Sequence, residues 1–331
     1  MKLVAFFHLK EVRWSLHEST LARWRDRFPQ LEVESVEDAD RLPAALADAD
    51  IFVGWRIPPE HFAAARRLRW MHCASAGIED SLFPELVASE VILTNSTGLH
   101  AVCIPEHVLG QMLVLARNFH EAQRLQQRAE WNRYQVIAYA SGIRELHGSR
   151  LAILGAGAIG ANLGRMAAAL GMHVRVMRRE PSRSVPGAEA VCGPERLHEL
   201  LGWADFAVLA VPLTAETRGL IGAPELRAMR SDAFLINIAR GEVVDEDALV
   251  RCLRAGGLAG AALDVFDQEP LPAEHPFWSL PNLVITPHVS GYTPQYFDKM
   301  LAIFEDNLAR YVEGRPLHNV VDKRLGYARP E

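Results

Sequence analysis

Gly155-Ala156-Gly157-Ala158-Ile159-Gly160 follows directly on the apolar run Leu151 to Leu154. An apolar, helix-forming stretch comes next, Ala161 to Leu170, and then a strand-like run, Val174 to Met177. Such a glycine fingerprint is weak alone, but between a strand and a helix of one βαβ unit it constrains the whole fold. Gly155 permits the tight turn, Gly157 lets a pyrophosphate approach the backbone, and Gly160 lets helix and strand pack closely. The helix N-terminus then offers free N–H groups and a partial positive charge to phosphates. A glycine-rich strand–turn–helix without a ligand is the plainer alternative, and the flanking pattern argues against it.

A site for NAD usually carries Asp or Glu at the end of the second strand, where the carboxylate binds the ribose 2′-hydroxyl. Here Val174-Arg175-Val176-Met177 runs into Arg178-Arg179. A carboxylate would repel a 2′-phosphate, whereas arginine binds it through charge-assisted, often bidentate hydrogen bonds. The pair favours NADP(H). In the alternative, Arg178 and Arg179 are solvated loop charges, Glu180 holds the ribose, and NAD(H) is used.

With 331 residues, two domains are expected. At 49% hydrophobic residues the chain can bury sizeable cores, and its net charge of −6 argues against a general nucleic-acid binder. The basic cluster Arg66-Arg67-Leu68-Arg69 reads as a solvated helix end. Cys73, Cys103, Cys192 and Cys252 are scattered without CxxC or metal-ligand spacing, as for reduced, mostly buried thiols in a cytoplasmic protein. The apolar run Leu3–Phe7 is too short for a signal peptide and no segment has the length of a membrane span.

The first hundred residues alternate strand-like runs (Leu3–Phe7, Leu31–Ser35, Ile51–Gly54, Trp70–Cys73, Val91–Leu93) with helical stretches such as Ser15–Phe28 and Pro59–Ala65. That alternation predicts a parallel sheet with helices on both faces. One long helix is expected from Pro105 to about Arg128, with Val108, Met112, Leu115 and Phe119 inward. From Leu151 the later strands read as near-continuous apolar runs (Phe206–Val211, Ala233–Ile238, Gly260–Val265, Leu283–Thr286), as in a sheet buried on both faces. Helices fit between them at Pro194–Leu201, Pro224–Met229 and Asp245–Ala255. A last helix, Pro294 to Tyr311, is expected to pack back on the first unit. The fold expected is α/β with two doubly wound parallel-sheet domains. A Rossmann nucleotide domain, 101–291, is inserted in a discontinuous, flavodoxin-like substrate domain, 1–100 plus 292–331.

In open α/β sheets function collects beyond the carboxyl ends of the strands. Three such ends carry ionisable residues: Ala239-Arg240-Gly241, Phe266-Asp267-Gln268-Glu269-Pro270, and Pro287-His288-Val289-Ser290-Gly291. Reduction of a ketone makes an alkoxide that must be protonated as hydride arrives. His288 can be that acid. Glu269 can orient His288 and support its cationic form. Arg240 can bind a substrate carboxylate and polarise the adjacent carbonyl. Singly, each has a blander reading as a structural histidine, a loop end or a turn. Three on successive strand ends of one dinucleotide domain outweigh those readings.

These stretches resemble the D-isomer-specific 2-hydroxyacid dehydrogenase family. The likeness rests on Gly155–Gly160, Ile236–Asp245, Leu263–Phe266 through Glu269-Pro270, and Thr286–Gly291, joined by Val211-Pro212-Leu213-Thr214 with Thr217-Arg218-Gly219, and by Ala74-Ser75-Ala76-Gly77-Ile78-Glu79. The resemblance implies the roles just given to Arg240, Glu269 and His288. It implies a substrate carboxylate on the backbone N–H groups of Ser75, Ala76 and Gly77. It further implies cofactor contacts at Ala158, Ile159, Val211, Pro212, Thr217, Ile238, Ala239, Asp264, Ser290 and Gly291, and a homodimer built on the nucleotide domains. Arg178, where the family commonly has an acid, aligns the chain with NADPH-using glyoxylate, hydroxypyruvate and other 2-keto-acid reductases. The short stretch after the returning helix leads to the expectation that the regulatory extension of many phosphoglycerate dehydrogenases is missing and that serine synthesis is not the role.

Trp55 and Arg56, after a first-domain strand, are expected to border the substrate, Trp55 against its side chain and Arg56 at a second anion. Loop packing is the alternative for both. Tyr292 and Trp278 are placed near the His288 loop, and Trp131 at a dimer interface. Two other functions keep the same motifs: a nucleotide-sensing binding protein like the corepressors of this fold, and an NAD-linked oxidase of phosphite or formate. Formate oxidation needs no proton transfer, which weighs against it given His288 and Glu269.

Overall fold

A computed structural model describes residues 1–9, 12–13, 16–78, 81–140 and 142–328; Ser15 and Glu79, named above, lie outside the described residues. The chain forms two compact units, Met1–Leu99 with Pro294–Glu331, and His100–Thr293.

The first unit holds five parallel strands, β1 (Lys2–Phe6), β2 (Glu32–Val36), β3 (Ile51–Gly54), β4 (Trp70–Cys73) and β5 (Ile92–Asn95), in the order β2-β1-β3-β4-β5. β3 and β4 are buried along their whole length. Leu42, Leu46 and Leu86 belong to the core on one face of the sheet. Trp24 and the helix Tyr296–Val312, through Met300, Phe304 and Leu308, belong to the core on the other. Phe304, fully buried with its ring 5.1 Å from Trp24 and 5.5 Å from Trp70, gains about 1.5–3 kcal/mol from burial. In β4, His72 sits buried between the hydroxyls of Thr94 and Ser96, and desolvation pushes its pKa down to about 3, so the ring is neutral.

The second unit holds seven parallel strands: β6 (Arg150–Leu154), β7 (His173–Met177), β8 (Ala190–Cys192), β9 (Phe206–Leu209), β10 (Phe234–Asn237), β11 (Gly260–Leu263) and β12 (Leu283–Ile285). Their order is β8-β7-β6-β9-β10-β11-β12, a doubly wound sheet whose order reverses direction between β6 and β9. β9, β10 and β11 are buried throughout, which is why they read as continuous apolar runs. Each of these three stops short of its apolar run. Val211, Ile238 and Val265 are buried too, but in the loops beyond the strand ends. Sequence hydrophobicity reports burial there and not the ladder.

The expected helix from Pro105 to Arg128 is two helices, α1 (Cys103–Ala116) and α2 (Phe119–Gln127). Asn118 breaks it with left-handed backbone (φ 53°, ψ 35°), and its side-chain amide donates to Val136 O at 2.9 Å and Tyr139 O at 3.1 Å. Asparagine tolerates this conformation because its short side chain pairs locally with backbone. Val108, Met112 and Leu115 face the core, but the turn puts Phe119 outward, 55% exposed. The four cysteines form no disulfide among the described residues, and of them only Cys73 is fully buried; the other three are half-buried at the margins of the core, which corrects the expectation of mostly buried cysteines.

Candidate active site

The glycine turn joins β6 to α3 (Ala158–Ala169). Gly155 has φ +108°, and a Cβ there would lie 2.4 Å from Ala210 O. A Cβ on Gly160 would lie 1.9 Å from Gly155 O. Both positions therefore exclude any side chain. Gly157 differs: a Cβ on it would meet nothing within 4 Å. Gly157 is the N-cap of α3 and supplies no capping side chain. Among the described residues nothing accepts from the N–H groups of residues 156–160. A rim of such donors, exposed at Gly157 and Ala158 and open over Gly157, fits a diphosphate.

The turn is tied to the end of β7, because Gly155 N–H donates to Met177 O at 2.9 Å. Arg178 and Arg179 follow at once, Arg178 half-buried and Arg179 exposed. Glu180 is exposed, with its carboxylate 3.8 Å from Arg183 Nε. On the other side of the turn, Val211 is buried and Pro212 exposed. Thr217 spends its hydroxyl inside the loop, donating to Pro212 O at 2.6 Å and accepting from Thr214 N–H at 2.8 Å.

At the end of β10, Ile238 and Ala239 are buried and Arg240 is half-buried. Arg240 Nη1 donates to Ala239 O at 2.7 Å. Asn237 clamps this turn: its amide donates to Arg240 O at 2.9 Å and its carbonyl accepts from Ala239 N–H at 3.0 Å. Gly241 packs on the next loop so tightly that a Cβ would lie 1.9 Å from the Phe266 carbonyl carbon. The turn carrying Arg240 thus touches the loop leading to Glu269. That loop lies next to β12, whose Ile285 pairs with Leu263 of β11.

His288 Nδ1 lies 2.7 Å from Glu269 Oε2. The other oxygen of Glu269 accepts from Phe266 N–H at 3.0 Å, so the carboxylate is anchored from its own loop. With Nδ1 facing the carboxylate, Nε2 is the ring nitrogen turned away from Glu269, on a side chain 50% exposed. His288 has a left-handed backbone, φ +51°, which costs strain and persists only where neighbours over-determine it. Asp264 is one such neighbour. It is fully buried, and accepts from Thr286 Oγ1 (2.6 Å), Val289 N–H (3.0 Å) and Ser290 N–H (3.0 Å), while its own carbonyl accepts from His288 N–H (2.8 Å). Expected as a cofactor contact, Asp264 lies beneath the histidine loop with both oxygens occupied. Ser290 is nearly buried with it, and Gly291 packs against His100.

In the first unit, the carbonyls of Ser75, Ala76 and Gly77 accept from Ser96 N–H, the Asn95 amide and the Ser75 hydroxyl. Their N–H groups have no acceptor among the described residues, which leaves a small array of donors. Trp55 stands half-buried among Phe7, Tyr296 and Phe297, its indole N–H without a partner among the described residues, and Arg56 is exposed. Tyr292 and Trp278 are exposed, the latter donating to Pro272 O at 2.8 Å, and Trp131 is 97% exposed.

Asn237, His107 and Gln111 were not singled out from the sequence. A signal existed for two of them. His107 and Gln111 interrupt the apolar stripe Ile104, Val108, Met112, Leu115 of α1 at helical spacing, where a polar residue needs a reason.

A family model described as D-isomer specific 2-hydroxyacid dehydrogenase, NAD binding domain, matches residues 109–290. The chain belongs to the D-isomer specific 2-hydroxyacid dehydrogenase family. It is 32% identical over 317 residues to the glyoxylate reductase of Korarchaeum cryptofilum, covering 93% of this chain and 91% of that one. It is 33% identical over 318 residues to glyoxylate/hydroxypyruvate reductase A of Serratia proteamaculans, covering 94% and 96%. The crystal structure of an NADPH-dependent glyoxylate/hydroxypyruvate reductase from Sinorhizobium meliloti, in complex with NADP and sulfate, superposes with a TM-score of 0.82 at 29% identity, covering 98% and 99%. As a family member the protein is an NAD(P)-dependent oxidoreductase.

Proposed function

We propose that this dehydrogenase reduces a small 2-keto acid to the D-2-hydroxy acid, reversibly, with NADPH preferred to NADH. The observation that carries this reading is the 2.7 Å pairing of His288 with Glu269, on a strand end of the same sheet edge as the glycine turn. Gly155, Gly157, Ala158, Ile159 and Gly160 hold the diphosphate at the N-terminus of α3. Bound there, the reduced dinucleotide supplies hydride to the substrate's carbonyl carbon. His288 gives a proton from Nε2 to the carbonyl oxygen, and Glu269 holds the ring in register. Arg240 binds the substrate carboxylate and draws charge from the carbonyl. The donor array at Ser75, Ala76 and Gly77 is a second anion-binding element for that substrate class, with Trp55 and Arg56 as its specificity residues.

The cofactor preference rests on Arg178 and Arg179 at the end of β7, where a guanidinium suits a 2′-phosphate and repels nothing. The NADP named in the S. meliloti relative supports it. A homodimer is proposed on the apolar residues that the second unit leaves exposed, Phe119, Trp131, Tyr134 and Ile137. A cytoplasmic setting agrees with four cysteines that form no disulfide among the described residues.

Assaying glyoxylate, hydroxypyruvate, pyruvate and bulkier 2-keto acids against both reduced cofactors tests the proposal. Oxidation of NADPH with one of them, faster than of NADH, is expected. Tight NADPH binding without turnover on any of them would favour the nucleotide-sensing alternative.

A further inference from the structure

We infer that His107 and Gln111, on α1, are positioning residues that set the histidine loop through the hydroxyl of Thr286. The inference rests on the reading of His288 as the proton donor. The direction of the hydrogen bonds carries it. Thr286 Oγ1 has one hydrogen, and at 2.6 Å it goes to the buried Asp264 carboxylate, which has only lone pairs to offer. Toward His107 Nε2 at 3.2 Å and Gln111 Nε2 at 3.3 Å the hydroxyl must therefore accept. His107 is thereby fixed as the Nε2–H tautomer. Burial depresses its pKa, with Asp264 opposing more weakly, which keeps the ring neutral.

The chain of donors runs one way, from α1 through Thr286 to Asp264. Asp264 in turn receives Val289 N–H and Ser290 N–H and gives its carbonyl to His288 N–H. The carboxylate and carbonyl of Asp264 thus either receive this input or hold the segment on which His288 adopts its left-handed φ, while its own N–H is tied to Asn237 O at 3.0 Å.

Burial of Gln111 carries a cost that apolar packing alone does not explain. Its side chain is 4% exposed, and its carbonyl oxygen has no partner among the described residues. A buried acceptor left unpaired costs free energy that leucine at the same place would avoid. What Gln111 contributes in return is its N–H to Thr286. His107 and Gln111 are four residues apart on one helix face, so both reach the same hydroxyl.

The test is kcat for the best 2-keto acid, NADPH affinity by fluorescence titration, and melting temperature, measured on the full chain. A displaced catalytic group costs up to about 10² in rate. Thr286→Val, His107→Phe and Gln111→Leu are each expected to lower kcat by about tenfold to hundredfold, with NADPH affinity within about threefold of wild type. Thr286→Ser and His107→Gln, which keep the hydroxyl and the donor, are expected to recover kcat to within about threefold. Gln111→Leu is the sharpest variant, because it is expected to lose rate while melting at or above the wild-type temperature. Wild-type kcat in Gln111→Leu and Thr286→Val would overturn the inference, as would equal losses in Thr286→Ser and Thr286→Val. His288→Ala separates the two levels. If it retains wild-type turnover, the proton-donor reading fails and takes this inference with it. If it is inactive while Gln111→Leu and Thr286→Val are not, only the positioning chain is wrong.

Discussion

The glycine turn and the histidine loop lie on one edge of the same seven-stranded sheet, and they are built by opposite means. The turn is built by missing side chains. Gly155 and Gly160 are required because backbone oxygens of Ala210 and Gly155 occupy the space a Cβ would take. What remains is a rim of N–H groups without an acceptor among the described residues, a candidate site made of main chain. The histidine loop is built by buried side chains. His288 is held at its strained φ by Asp264, Thr286 and Glu269, and Arg240 by Asn237. Main-chain sites tolerate changes in the side chains around them but not a lost glycine. Side-chain sites fail by degrees, as one support after another is removed.

That contrast can be broken by experiment. Gly155→Ala forces a side chain into positive φ against the Ala210 carbonyl, at a strain of about 1–3 kcal/mol before the overlap is counted. NADPH affinity, measured by titration, is expected to fall about a hundredfold or more. Unchanged affinity would mean that the turn is not the cradle. Arg178→Asp alters the same region without touching the turn. One lost charge-assisted bond is worth about 1.5–3 kcal/mol, so NADPH affinity is expected to fall roughly tenfold to hundredfold while NADH affinity holds. Equal losses for both cofactors would remove the argument for a 2′-phosphate. Glu269→Gln keeps an oxygen for Phe266 N–H but withdraws the charge facing His288. Turnover is expected to fall about tenfold, with cofactor affinity retained. Asn237→Ala, which loosens only the turn carrying Arg240, is expected to raise KM for the keto acid by less, about fivefold, since one neutral hydrogen bond is worth about 1 kcal/mol.

What could be read from the sequence divides along the same line. The parallel sheets, the glycine turn and the three polar strand ends were legible because each is a local pattern: an apolar run, a spacing, a charged residue just beyond it. Asn237, His107 and Gln111 were passed over, and the tie of Asp264 to Thr286 was not read, because their work is done by partners far along the chain. Asp264 reaches Thr286 across 22 residues, and Gln111 reaches it across 175. Asn118 illustrates the other limit. Helical periodicity carried on across it, and only its bonds to Val136 and Tyr139 show why the helix stops.

In the proposed reaction His288 delivers the proton while the glycine turn independently holds the cofactor. General acid catalysis contributes about 10²–10⁴ in rate, so His288→Ala is expected to lose about that much turnover on the preferred 2-keto acid. In the same sample, NADPH should bind within about threefold of wild type. Turnover near the wild-type rate would contradict the account.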